Sequence, residues 1–136
     1  MGRRRILLVV TVFVLLAGCG GGRTVEVGVT AGSVQLAAGE VLRVDLGQVN
    51  SSIGDSWYLV GTPDAAVLTG GEEDYDSDCD RDAVGCGGRL AWVFTARGPG
   101  KTTLVFQYCY RSSLDACQPE TSRGPQEPVQ LAVSVN

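Results

Sequence analysis

Five cysteines carry the most explicit chemistry in this chain of 136 residues. Cys19 follows Leu16-Ala17-Gly18, behind a basic start at Arg3-Arg4-Arg5 and an apolar run from Ile6 to Leu16. A basic head, a short apolar stretch and small residues before the cut are what a signal peptidase reads. A cysteine directly after them marks a bacterial lipoprotein, lipidated on that sulfur. Residues 1–18 are therefore expected to be a lipoprotein signal peptide and Cys19 the lipidated first residue of the mature chain. Plain secretion and an uncleaved anchor are the alternatives. The apolar run falls short of the roughly 20 residues that span a bilayer. Gly20-Gly21-Gly22 would then act as a flexible tether. The rest of the chain is expected at the extracytoplasmic face of the cell membrane, where disulfides are permitted.

The other four cysteines are Cys79, Cys86, Cys109 and Cys117. An even number outside the cytoplasm reads as two disulfides. Three pairings are possible, and Cys79–Cys86 with Cys109–Cys117 is favoured because each closes a short local loop. A four-thiolate metal site is the alternative. The spacings are not paired C-x-x-C knuckles, and an oxidising compartment competes with the metal.

The chain has no histidine. That removes the Ser-His and Cys-His pairs that activate most nucleophiles, and histidine-ligated zinc with them. Carboxylates remain, but no pair of them sits in surroundings that would separate their pKa values. A binding module is expected rather than an enzyme, with no cofactor. Removing the first 18 residues, three arginines among them, turns a formal net charge of −4 into −7. No basic stripe remains that would seek nucleic acid.

The sharpest charge feature is Glu72-Glu73-Asp74-Tyr75-Asp76-Ser77-Asp78-Cys79-Asp80-Arg81-Asp82. It reads as a solvated, mobile acidic loop. A calcium site at Asp74, Asp76 and Asp78 is the alternative, since alternating aspartates open a calcium loop. Counted from Asp74, however, position six is Cys79 rather than glycine and position twelve is Gly85 rather than glutamate. A strip for a basic protein partner is a third reading.

The elements that must position these groups are strands. No segment shows capped 3.6-residue apolar periodicity. Alternating or continuous apolar runs occur at Val25–Val29, Ser33–Leu36, Val41–Leu46, Trp57–Val60, Ala66–Leu68, Leu90–Thr95, Thr102–Tyr110 and Val129–Val135. Seven or eight short strands separated by turns predict an all-β sandwich. Two long connections, 69–88 and 111–128, stand out, and loops of that length in a compact domain are functional or disordered.

Three loop segments hold the candidate binding residues. Asn50-Ser51-Ser52-Ile53-Gly54-Asp55 precedes Trp57, which is expected to enter the core and fix the loop base. Gly85-Cys86-Gly87-Gly88 precedes a strand, and its glycines let backbone approach another surface closely. Tyr110-Arg111-Ser112 opens the last long loop with residue types that anchor protein interfaces.

In this order the three segments resemble the chagasin family of cysteine-protease inhibitors, over roughly Val34 to Val135. The second segment matches the family's Gly-x-Gly-Gly in full. In the first, Asn50 and Gly54 match Asn-Pro-Thr-Thr-Gly and Ser52 is a near match. Ser51 stands for the proline, Ile53 for the second threonine and Asp55 for the aromatic that follows. In the third, Tyr110-Arg111-Ser112 stands where the family has Arg-Pro-Trp. The resemblance implies an immunoglobulin-like β-sandwich over residues 33–136, with residues 19–32 supplying the tether and a first short strand. It implies a monomer whose three loops wedge into the cleft of a papain-like cysteine protease, with main-chain groups around Ile53 and Gly54 nearest the catalytic cysteine. An envelope-binding lipoprotein with the same sandwich and no inhibition is the alternative.

Overall fold

The structure is a computed structural model that describes residues 22–81, 83–119 and 123–136. Residues 1–18, expected as a signal peptide, together with Cys19 and Asp82, lie outside the described residues.

Eight strands form two four-stranded sheets. They are β1 (Thr24–Gly28), β2 (Ser33–Leu36), β3 (Val41–Val49), β4 (Ser56–Leu59), β5 (Leu68–Ser77), β6 (Gly88–Ala96), β7 (Gly100–Cys109) and β8 (Val129–Val135). The first sheet runs β1-β3-β6-β5 and the second β2-β8-β7-β4. This is the expected immunoglobulin-like, all-β sandwich. The described residues hold no helix long and apolar enough to cross a membrane.

Alternation explains the layering. Successive strand side chains point to opposite faces, so every second apolar residue can be buried between the sheets. Leu42, Val44 and Leu46 of β3, with Leu90 and Phe94 of β6, face Leu104, Phe106 and Tyr108 of β7 and Leu131, Val133 and Val135 of β8. Each such side chain contributes about 1.5–3 kcal/mol by leaving water. Trp57 is buried as expected and meets Tyr108 edge-on, with ring centroids 5.5 Å apart.

One expectation is corrected. Residues 69–77 are not loop, because β5 extends from Leu68 to Ser77 and pairs antiparallel with β6. The acidic residues Glu72, Glu73, Asp74 and Asp76 lie on an edge strand. Its outer side faces water and tolerates charge, which also discourages edge-to-edge association. Asp74 engages Arg43, which also reaches Glu26 at 3.6 Å, while Asp78 accepts from the Gln48 amide. Among the described residues no three His, Cys, Asp or Glu side chains gather to hold a metal ion.

The strand directions sort the connections onto two poles. Val49 pairs with Gly88, Ser77 pairs with Gly88, and Ser56 pairs with Cys109, so the connections 50–55, 78–87 and 110–128 leave from one end. Thr24 pairs with Val41 at the opposite end of β3. At about 3.3 Å per strand residue, the described chain starts roughly 26 Å from the pole that carries the three loops.

Candidate functional site

The first loop is a single turn closed by Asn50 and Asp55. The Asn50 side-chain oxygen accepts from the Ser52 N–H at 3.2 Å, and its carbonyl accepts from the N–H of Ile53 at 3.1 Å and of Asp55 at 3.2 Å. The Asp55 carboxylate takes the Asn50 N–H at 3.2 Å and the Tyr108 hydroxyl. Gly54 completes the turn at φ +78°, a left-handed conformation that glycine adopts without steric cost. Ser51, Ser52 and Ile53 are left exposed at the tip.

Asp55 is placed differently from its expected role. It is buried, at 7% exposure, so it braces the loop from beneath and is not available for contact. Burial of the Tyr108 phenol, reinforced by its hydrogen bond to Asp55, raises its pKa above the ordinary tyrosine value. The hydroxyl therefore stays protonated and keeps donating to the carboxylate across the physiological range.

The second loop rests on the first. The Asn50 side-chain amide donates to the Gly85 carbonyl at 3.2 Å. The Asp78 N–H donates to the Gly87 carbonyl at 2.9 Å, extending the β5–β6 pairing toward the disulfide. Cys79 and Cys86 are bonded, with Cα atoms 5.4 Å apart, as favoured from their spacing. Gly87 passes so close to β3 that a Cβ there would lie 2.9 Å from the Val49 carbonyl oxygen. Gly88 is buried at the start of β6, beneath Tyr75, so it supports the loop rather than presenting itself. Gly85 is exposed, and Cys86 and Gly87 are half-buried.

The third loop closes the other flank. Cys109 and Cys117 are bonded, with Cα atoms 5.1 Å apart, again as favoured. Ser112 organises the turn between them: its hydroxyl donates to the Tyr110 carbonyl at 3.2 Å and accepts from the Gln118 N–H at 2.9 Å. Arg111 has φ +52°, and a Cβ on Gly54 would lie 3.1 Å from its Cα. The first loop is thus wedged between the other two, touching Gly85 on one side and Arg111 on the other.

Two residues at this pole gave little notice of themselves in the sequence. Val84 is 95% exposed at the tip of the disulfide-tethered second loop. An apolar side chain between Ala83 and Gly85 was the only local hint. Arg123 stacks over Tyr110 from 13 positions away, which no short-range pattern reports.

Comparison with known proteins adds the family. A solution structure of amebosin matches with 20% identity and a TM-score of 0.57, covering 85% of this chain and 100% of that one. The crystal structure of the cysteine protease inhibitor EhICP2 from Entamoeba histolytica matches with 12% identity and a TM-score of 0.59, covering 86% and 99%. At such identities the likeness concerns the fold. No curated protein sequence matches the chain. The family described as chagasin family peptidase inhibitor I42 matches residues 35–123, which take in the first two loops, most of the third and both disulfides. The chain therefore belongs to the chagasin family of peptidase inhibitors.

Proposed function

We propose that this protein is a surface-anchored inhibitor of papain-like cysteine proteases, held at the extracytoplasmic face of the membrane by a lipid on Cys19. The observation that carries the reading is the assembly of the three loops into one braced wedge, with Asn50 bonded to Gly85 and Gly54 seated against Arg111. Rigid loops suit a tight inhibitor, because ordering them on binding would subtract from affinity. Ser51 to Gly54 form the leading edge, with main-chain groups at Ile53 and Gly54 nearest the protease cysteine. Gly85, Cys86 and Gly87 flank it on one side, and Tyr110, Arg111 and Ser112 on the other. Inhibition is stoichiometric, and the inhibitor offers no catalytic group of its own.

The two poles support the anchoring half of the reading. A tether leading into β1 joins the domain at the end away from the loops. A lipid there would hold the wedge outward, toward a protease in solution or on a neighbouring surface.

Two experiments test the reading. Papain with its catalytic cysteine alkylated should still form a 1:1 complex with residues 22–136 on size exclusion, since a wedge needs no reaction. Palmitate labelling of the full chain in a bacterial host should disappear with Cys19→Ser. If the sandwich is retained and neither complex nor inhibition is found with papain-like enzymes, the envelope-binding alternative replaces this one. The third loop, which lacks Arg-Pro-Trp, favours that alternative.

A further inference from the structure

Tyr110 carries two arginines. The guanidinium of Arg111 lies 5.2 Å from the ring centroid and that of Arg123 5.0 Å. The two positive charges are thus within about 10 Å of each other, one Debye length at 0.1 M salt, and they repel. Both residues are exposed. Among the described residues neither forms a salt bridge, in a chain with 15 acidic residues.

Both are held in place. Arg111 sits at φ +52° against Gly54, in a left-handed conformation that is sterically costly for a long side chain. Arg123 precedes Gly124, where a Cβ would lie 2.6 Å from the Tyr108 ring, so that glycine lies flat on a buried aromatic. Strain of this kind persists where surrounding structure enforces it, and it gathers at functional sites. A planar, exposed guanidinium stacked on an aromatic keeps its outer donors free for a carboxylate.

We propose that Arg111 and Arg123, braced on Tyr110, form a carboxylate-binding clamp that directs this inhibitor to proteases whose cleft wall facing the third loop is acidic. The inference rests on the inhibitor reading and names the partner surface within it. Charge is mixed elsewhere on this pole: Asp78, Asp80 and Arg81 are exposed on the second loop and Asp115 and Glu127 on the third, with the uncharged tip Ser51–Gly54 between the loops. The two guanidiniums on Tyr110 are a local positive spot on a pole of mixed charge, and such a spot steers orientation as well as choice of partner. An anionic lipid headgroup is disfavoured as the clamp's occupant, because the loops lie at the pole opposite the start of β1.

The test measures inhibition constants and association rates of residues 22–136, which contain both sheets and the described core. Papain and a cathepsin-L-like protease serve as probes, at 50 mM and 500 mM NaCl. Against whichever enzyme the wild type inhibits better, Arg111→Gln with Arg123→Gln should weaken inhibition about tenfold at low salt and under threefold at high salt. The loss should fall mainly in the association rate, and Arg111→Lys with Arg123→Lys, which keeps the charge but not the planar fork, should recover only part of it. An unchanged constant in the Gln pair, or a loss equal at both salts, overturns the clamp while leaving the inhibitor reading intact. Binding of the wild type, but not the Gln pair, to phosphatidylglycerol vesicles without an effect on inhibition would reassign the pair to lipid and also overturns it. If the wild type inhibits neither enzyme, the inhibitor reading fails and the clamp falls with it.

Discussion

The Tyr108 hydroxyl, on the strand that leads into the third loop, donates to the buried carboxylate of Asp55, which closes the first loop. A core hydrogen bond thus ties two of the three loops to each other before any partner arrives. Both Asp55 oxygens are used, one by Tyr108 and one by the Asn50 N–H. Asp55→Ala leaves a buried hydroxyl and a backbone donor unpaired, at about 1–3 kcal/mol for each such group. A loss of roughly 3 kcal/mol, or about 12 °C in Tm for a domain of this size, is expected by calorimetry. A change under 2 °C would show that Asp55 does not brace the loop.

The same pair predicts a pH dependence. Burial and the Asp55 hydrogen bond raise the Tyr108 pKa in the folded protein above that of the unfolded chain, which is about 10. The stabilisation is therefore fully present below pH 10. It declines as pH rises further, because the unfolded state releases a proton that the native state keeps, at about 1.4 kcal/mol per pH unit. Urea midpoints measured from pH 8.5 to 11.5 should show that slope in the wild type and lose it in Tyr108→Phe. Parallel curves for the two proteins would contradict the assignment.

The glycines of the second loop separate cleanly by what surrounds them. Gly85 has φ +83° and open space where a Cβ would lie, so Gly85→Ala carries conformational strain alone, about 1 kcal/mol. Gly88 has an ordinary extended backbone, but a Cβ there would run into the Asp76 carbonyl oxygen and lie 2.7 Å from the Tyr75 ring, within the β5–β6 pairing. Gly88→Ala should cost about 2–3 kcal/mol through overpacking. Chemical denaturation that ranks Gly85→Ala as the more damaging change would refute this account of the loop base.

The disulfides are predicted to matter for order at the wedge as well as for stability. Replacing Cys79 and Cys86 by serine opens a loop with a sequence separation of 7, for which chain entropy suggests about 2.5 kcal/mol. The family's first and third loops carry prolines that Ser51 and Arg111 replace here. Our reading is that the two bridges supply the missing stiffness. Hydrogen exchange should quicken across residues 78–87 in the serine pair, and inhibition should weaken with it. Unchanged exchange would sink the compensation argument.

The strands that bury one face could be read from the chain. Val129 to Val135 alternates apolar with polar residues, and β8 covers those residues. Leu104, Phe106 and Tyr108 share the inner face of β7, as alternation requires. β5 was hidden because its signal is a row of acids, tolerated on the water-facing side of an edge strand but read as loop in one dimension. The three loop positions were legible from turn residues and family spacing. The division of labour within them was not: Asp55 turns inward to Tyr108, 53 positions away, and Gly88 is covered by Asp76 and Tyr75 of the neighbouring strand. Arg123 joins Tyr110 only through the fold of the last loop.

The central claim is inhibition, and titrating papain and a cathepsin-L-like protease with oxidised residues 22–136 tests it most directly. The account predicts activity falling linearly to an equimolar end point, with an inhibition constant below about 1 μM, equivalent to about −8.2 kcal/mol. Full activity of both enzymes at about 100 μM inhibitor, weaker than roughly −5.5 kcal/mol, would contradict it.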